Sequence, residues 1–144
     1  MLSNTSKYAI RAMIYLAINE GNAQKTGIKK ISAELDIPAP FLAKIMQILA
    51  RHKLLKSSKG PNGGFSLGRD AGKITLYEIV TVIDGNDLFD QCLISLRRCN
   101  EENIPCPMHY KYQQYRTQIR ELFSQQDLGS LANDIKAQGE IFAL

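Results

Sequence analysis

The cysteines of this 144-residue chain, Cys92, Cys99 and Cys106, are separated by six residues each time, and His109 follows Cys106 after two more. Three thiols and an imidazole can fill four ligand positions. Cys106 and His109, at i and i+3, would point the same way from the first turn of a helix. Zinc suits the ligand types, but structural zinc sites usually pair ligands across about two to four intervening residues. The Cys92–Cys99 gap is too wide for such a knuckle. A two-iron cluster spreads its terminal positions over two metals and suits wide spacing better. Redox-active thiols and incidental cysteines are the other readings. An odd cysteine count argues against a disulfide framework. A Cys–His nucleophile lacks a nearby orienting group, and no phosphate or nucleotide motif accompanies it, so an enzyme is not expected.

The cysteines fall in an acidic, irregular stretch from Asp84 to Glu102 and at its exit. A long helix is expected to start near Pro105–Pro107, with proline in its first turn. Along it Met108, Tyr112, Tyr115, Ile119 and Leu122 recur at alternating spacings of 4 and 3. That is a heptad seam suited to a two-helix contact, with plain core packing as the alternative. A last helix is expected over Leu128–Gln138. Upstream of the loop, a short helix over Leu76–Ile83 turns Leu76, Ile79, Val80 and Ile83 inward.

The first half of the chain has a different character. Residues 1–75 hold 12 Lys/Arg and 4 Asp/Glu, whereas residues 76–144 hold 6 and 10, within an overall charge of +4. No acidic residue occurs between Asp36 and Asp70, while Lys44, Arg51, Lys53, Lys56, Lys59 and Arg69 do. Such a division suggests that only the first half meets a polyanion. A mostly apolar helix is expected over Thr5–Asn19, capped by Ser3, Asn4 or Thr5. Helices over Ile28–Leu35 and Ala39–His52 flank the break at Asp36-Ile37-Pro38, which is the helix-turn-helix plan. In the second of them Leu42, Ile45, Met46 and Leu49 form a buried stripe. The opposite face carries Pro40, Ala43, Lys44, Gln47 and Arg51: small residues for close approach, an amide or guanidinium for base edges, an ammonium for phosphate. Leu55/Ser57 and Phe65/Leu67 read as strands flanking the Gly60-Pro61-Asn62-Gly63-Gly64 turn. A hairpin directly after a helix-turn-helix is a wing, with Lys56 and Lys59 on its arm and tip.

The reading is therefore a mainly α fold: a winged helix-turn-helix with a small β-hairpin and a long C-terminal dimerisation helix. One continuous domain divides into a DNA-binding region at 1–84, a cysteine-containing effector loop at 85–107, and the dimerisation and C-terminal helices at 108–144. The expected partners are a double-stranded DNA operator and a second copy of the chain, since two-fold symmetry gives a winged domain palindromic specificity. No apolar run approaches the roughly 20 residues of a membrane span. Met1 to Lys7 lack the features of a signal peptide, so a cytoplasmic location is expected.

Three segments carry a family resemblance: Ser6-Lys7-Tyr8-Ala9-Ile10-Arg11-Ala12-Met13, Ile37-Pro38-Ala39-Pro40-Phe41-Leu42-Ala43-Lys44-Ile45, and Ser58-Lys59-Gly60-Pro61-Asn62-Gly63-Gly64-Phe65-Ser66-Leu67. Together they resemble the IscR/NsrR-type regulators, the glycine-rich wing being the most specific element. The resemblance implies a dimer in which the Ala39–His52 helix reads the major groove through Lys44, Gln47 and Arg51. It also implies that the wing enters the minor groove through Lys59. It further implies an iron–sulfur cluster, of the two-iron two-sulfur kind, on Cys92, Cys99, Cys106 and His109, sensing iron–sulfur, redox or nitric oxide status. Nitric-oxide sensors of this type take a fourth ligand from an aspartate in the partner's first helix. The matching position here is Lys7, which cannot ligate, and this favours His109. Each Cys–Cys gap is one residue longer than the two-iron members usually have. The same scaffold acting through bare thiols or another effector is the alternative.

Overall fold

The computed structural model describes residues 1–20, 25–96 and 106–139. Helix α1 spans Asn4–Ile18, and Ser3 caps it by accepting the Ser6 amide at 3.0 Å. Its run of apolar residues has the predicted consequence: Ala9, Ala12, Met13, Ile14, Tyr15, Leu16 and Ala17 are all buried, so α1 is the axle of the core. Burial, and then the charge of Glu34, raises the Tyr15 phenol above its ordinary pKa.

Helix α2 spans Ile28–Leu35 and α3 spans Ala39–Arg51. Between them Asp36 adopts the left-handed conformation at φ 53°, which reverses the chain at once. Ser32 fixes this turn: its carbonyl accepts the Ile37 amide at 3.1 Å and its hydroxyl donates to the Ile37 carbonyl at 2.5 Å. The Arg11 guanidinium reaches across from α1 and donates to the Leu35 carbonyl at 2.9 Å. The expected stripe of Leu42, Ile45, Met46 and Leu49 is buried in full.

Helix α3 ends in a Schellman arrangement, with Leu54 N–H on the Leu49 carbonyl and Lys53 N–H on the Ala50 carbonyl, both at 3.0 Å. Lys53 occupies the left-handed position at φ 62°. The chain passes directly into strand β1, Leu55–Ser58, which pairs antiparallel with β2, Gly64–Leu67, in the register Leu55↔Leu67 to Ser58↔Gly64. Gly68 lies so close to the root of the wing that a Cβ there would sit 2.2 Å from the Lys53 carbonyl oxygen. Thr26 adds a third rung: its amide and carbonyl bond both backbone groups of Phe65, at 3.0 and 2.8 Å. The wing is therefore sewn to the segment that starts α2.

A short 3₁₀ turn at Ala71–Lys73 precedes α4, Leu76–Asp84, which opens with a capping box between Thr75 and Glu78. Within the stretch expected to be irregular, a one-turn helix α5 forms at Asp87–Asp90, and Phe89 explains it. That ring is 1% exposed and packs on Tyr77 at 4.8 Å and Phe123 at 5.8 Å, so a single aromatic anchor folds the segment. The long helix α6 covers His109–Gln125, starting beyond the prolines; Cys106 to Met108 form a turn ahead of it. Helix α7, Leu128–Gln138, returns to the core through Leu128 and Ala132 and packs beside α1. Its entry is held by Leu76 N–H on the Gln126 carbonyl and Leu128 N–H on the Ile74 carbonyl.

The predicted seam on α6 is divided between two faces. Tyr112, Ile119 and Phe123 are half-buried on the side that meets α4 and α5, whereas Tyr115 and Leu122 are 55% and 61% exposed. Uniform heptad spacing in sequence thus hides two jobs, one toward the chain's own body and one outward. No helix among the described residues is long and apolar enough to cross a membrane.

Candidate DNA interface and cysteine site

Lys44, Gln47 and Arg51 are exposed on α3 at i, i+3 and i+7, opposite the buried stripe, so one ridge of the helix carries all three. Lys56 and Lys59 are exposed on the strand and turn of the wing. Tyr8 and Phe41 meet edge to face at 5.7 Å, bracing the start of α3 against α1. The Schellman exit from α3 leaves no slack before β1, so the helix ridge and the wing lysines ride on one frame. Arg69 is compensated by an ion pair with Glu78 and adds little free positive charge. Lys25 escaped the sequence reading: its ammonium donates to Ser58 Oγ at 2.8 Å and brings a further cation onto the wing. Lys25 stands thirty-three residues before Ser58, so no local pattern announces the contact.

The cysteine site is built at the junction of α5 and α6. Cys92 lies just beyond α5 and Cys106 just before α6, and their sulfurs stand 3.2 Å apart. The Ser95 amide donates to Cys92 Sγ at 3.4 Å. His109 N–H closes the turn onto the Cys106 carbonyl at 2.8 Å, which seats the imidazole at the first position of α6. That ring is 5% exposed, meets Tyr110 edge on at 5.0 Å, and its Nδ1 is buried without a hydrogen-bond partner among the described residues. Buried polar atoms rarely lack a partner, so this nitrogen is a ring atom left open to a further ligand. Cys99 lies outside the described residues. Among the described residues no three His, Cys, Asp or Glu side chains converge as a ready ion cage. What the structure assembles is a thiol pair with a buried imidazole one helical turn away, the sulfur and nitrogen donors that iron–sulfur clusters take.

Two clasps fix this site to the rest of the molecule. Arg120 pairs with Asp90 and donates to the Phe89 carbonyl at 3.3 Å, and Arg116 donates to the Gln91 carbonyl at 3.4 Å, tying α5 to α6. At the other end the Asp84 carboxylate accepts from Ser3 Oγ at 2.6 Å and Ser6 Oγ at 2.8 Å, locking the end of α4 to the start of α1. Between these clasps lies an open cavity of about 470 Å³, lined among others by Ser3, Asp84, Asp87, Gln91, Cys92 and Tyr112.

A helix-turn-helix with a cationic, carboxylate-free outer ridge, followed without a linker by a basic hairpin, defines a winged-helix DNA-binding regulator. Residues 2–134 match the Rrf2 family, described as iron-dependent transcriptional regulators, and the chain belongs to that family. It is 34% identical over 134 residues to a helix-turn-helix-type transcriptional regulator of Aquifex aeolicus, covering 92% of each chain. It is 31% identical over 83 residues to the regulator IscR of Sodalis glossinidius, a match spanning 58% of this chain and half of that protein. Among solved structures, CymR, the global cysteine regulator of Bacillus subtilis, is similar with a TM-score of 0.76 at 26% identity, over 92% of this chain and 96% of that one. IscR of T. potens shares the fold with a TM-score of 0.72 at 22% identity, over 96% and 90%. These relatives are transcriptional regulators and not enzymes, as the sequence led us to expect.

Proposed function

We propose that the protein is a homodimeric, cytoplasmic operator-binding regulator whose DNA affinity is set by an iron–sulfur cluster on Cys92, Cys99, Cys106 and His109. The observation that carries this reading is the convergence of Cys92 and Cys106 at 3.2 Å beside a buried imidazole with an orphaned nitrogen. The relationship to IscR supports it. A bound cluster would supply redox and nitric-oxide sensitivity, with His109 as its nitrogen donor beside three thiolates. The chain's own residues do the rest. Cys92 and Cys106 tether the ends of α5 and α6, and Phe89 with Arg120 transmits their spacing to α4 and so toward the wing.

On the DNA, Gln47 and Arg51 address base edges while Lys44, Lys56 and Lys59 address phosphate or the narrow groove. Dimerisation through the outward face of α6 is supported by its burial: of its 17 residues only His109 is buried, and Tyr110, Tyr115 and Leu122 are exposed. Anaerobic purification with an absorption spectrum and iron and sulfide counts tests the cluster; protein free of both iron and sulfide overturns it. The second reading, bare-thiol sensing, is favoured by the same sulfur pair and by the likeness to a cysteine regulator. An operator affinity in the Cys92, Cys99 and Cys106 triple-alanine variant equal to that of the wild type would exclude both.

A further inference from the structure

We infer that in the cluster-free chain Cys92 and Cys106 form a hydroperoxide-driven intramolecular disulfide, with Cys92 the attacked sulfur and Cys106 the resolving one. The inference concerns the loop read above as the sensing site, and it stands on geometry that needs no cluster. The two sulfurs lie 3.2 Å apart although they are fourteen positions apart in the chain, so little motion is needed to join them. Both thiols are half-buried, but Cys92 lines the open 470 Å³ cavity, whereas Cys106, just before α6, is not among its lining residues. A small oxidant in the cavity therefore meets Cys92 first.

The chemistry closes in two steps. Cys92 sulfur displaces water from hydrogen peroxide, taking up one oxygen as a sulfenic acid. Cys106 sulfur then attacks that sulfenic sulfur and expels a second water, leaving the disulfide; two thiols are oxidised and one peroxide is reduced. The cavity also selects its oxidant. Asp84 and Asp87 share its wall, so a neutral peroxide enters while an anionic oxidant such as oxidised glutathione is repelled. Joining the sulfurs removes two ligands at once, so cluster loss under peroxide becomes a latched state until a dithiol opens the bond.

The test uses the full-length chain, stripped of iron by a chelator, reduced, and treated anaerobically with one equivalent of hydrogen peroxide. We expect a loss of two hydrogens in the intact mass and a mapped Cys92–Cys106 peptide, with Cys99 still open to alkylation. Oxidised glutathione should react roughly tenfold more slowly or less. Cys106→Ser should leave a dimedone-trappable sulfenic acid on Cys92, and Cys92→Ser should leave none. Dithiothreitol should restore cluster uptake from iron and sulfide. A link through Cys99 or between two chains, or Cys92 and Cys106 still alkylated after peroxide, overturns the inference. These outcomes are separate from the iron and sulfide count of the anaerobic protein, which judges the cluster alone.

Discussion

The two halves of the molecule spend their apolar side chains differently. In α1 and α3 Met13, Ile14, Leu16, Leu42, Ile45, Met46 and Leu49 are buried, and the exposed face of α3 carries Lys44, Gln47 and Arg51 beside Phe41. In α6 the balance reverses: a helix of 17 residues buries one, and three of its large side chains stand in solvent. The first half is a finished surface shaped for a polyanion. The second half leaves the outward face of α6 in solvent, while the inward face is held by half-buried Tyr112, Ile119 and Phe123, by the aromatic anchor at Phe89 and by two arginine clasps. The proposed function makes use of this difference, because a reading head must keep its shape while an element that responds must be cheap to move.

The comparison can be broken in the first half by Leu49→Ala. Leu49 is fully buried, and removing its side chain should cost about 2–5 kcal/mol of stability. Urea unfolding with an unchanged midpoint would show that α3 is not held by its stripe. The counterpart in the second half is Leu122→Glu. Because Leu122 is exposed within one chain, the monomer fold should survive, while a carboxylate at an apolar contact should cost several kcal/mol of association. Sedimentation should show monomers and operator binding should weaken; a stable dimer would place the interface elsewhere. Leu122 is the cleaner probe than Ile119, which is half-buried against the chain's own body.

A smaller effect separates the two kinds of DNA contact. Gln47→Ala should lose about 1–3 kcal/mol on the operator and little on random duplex. Lys59→Ala should weaken both and lower the log–log salt slope by roughly 0.9. Equal losses for Gln47→Ala on both duplexes would remove it from base reading. The smallest effect concerns the cap that returns the chain to the core after α6. Asp127 accepts the Ser130 amide at 2.8 Å and the Ser130 hydroxyl at 2.7 Å, and these bonds hold its carboxyl below the ordinary value of 3.8. A depressed carboxylate stabilises the fold above its unfolded pKa and loses that contribution as pH falls through the folded one. Asp127→Ala should therefore cost about 1 kcal/mol near neutrality, typical of a lost N-cap. Variant and wild type should converge below pH 3.8 in acid titrations of stability; a constant gap would mean the carboxylate charge is not what caps α7.

Whatever rests on local period was legible in the sequence. The stripe Leu42, Ile45, Met46 and Leu49, the turn at Asp36-Ile37-Pro38, and the glycine-rich hairpin all emerged where spacing and turn chemistry put them. The cysteine spacing pointed to one site, and Cys92 and Cys106 meet there. Illegible were the features that join distant positions. Asp84 holds Ser3 across 81 residues, and Lys25 reaches Ser58 across 33, with no periodic trace. Helix α5 was hidden because four residues are too few to show a period, and only the burial of Phe89 creates it. The α6 seam was legible only in part, because a heptad repeat reports that apolar residues are aligned, not whose surface they face.

The paired backbone of Thr26 and Phe65 constrains how any signal can reach the operator. A free hairpin could answer an effector by bending at its root, adding a degree of freedom to the reading head. Here two backbone bonds of 3.0 and 2.8 Å clip the wing to the entrance of α2, and the absence of a side chain at Gly64 lets the strands close, since a Cβ there would lie 2.6 Å from the Thr26 carbonyl oxygen. Wing, α2 and α3 therefore travel as a single rigid body. In a two-fold regulator built this way, control is exerted on the separation and tilt between two such bodies. In the proposed dimer the operator's half-site spacing, more than the sequence within a half-site, would then be the variable to which the regulated state responds.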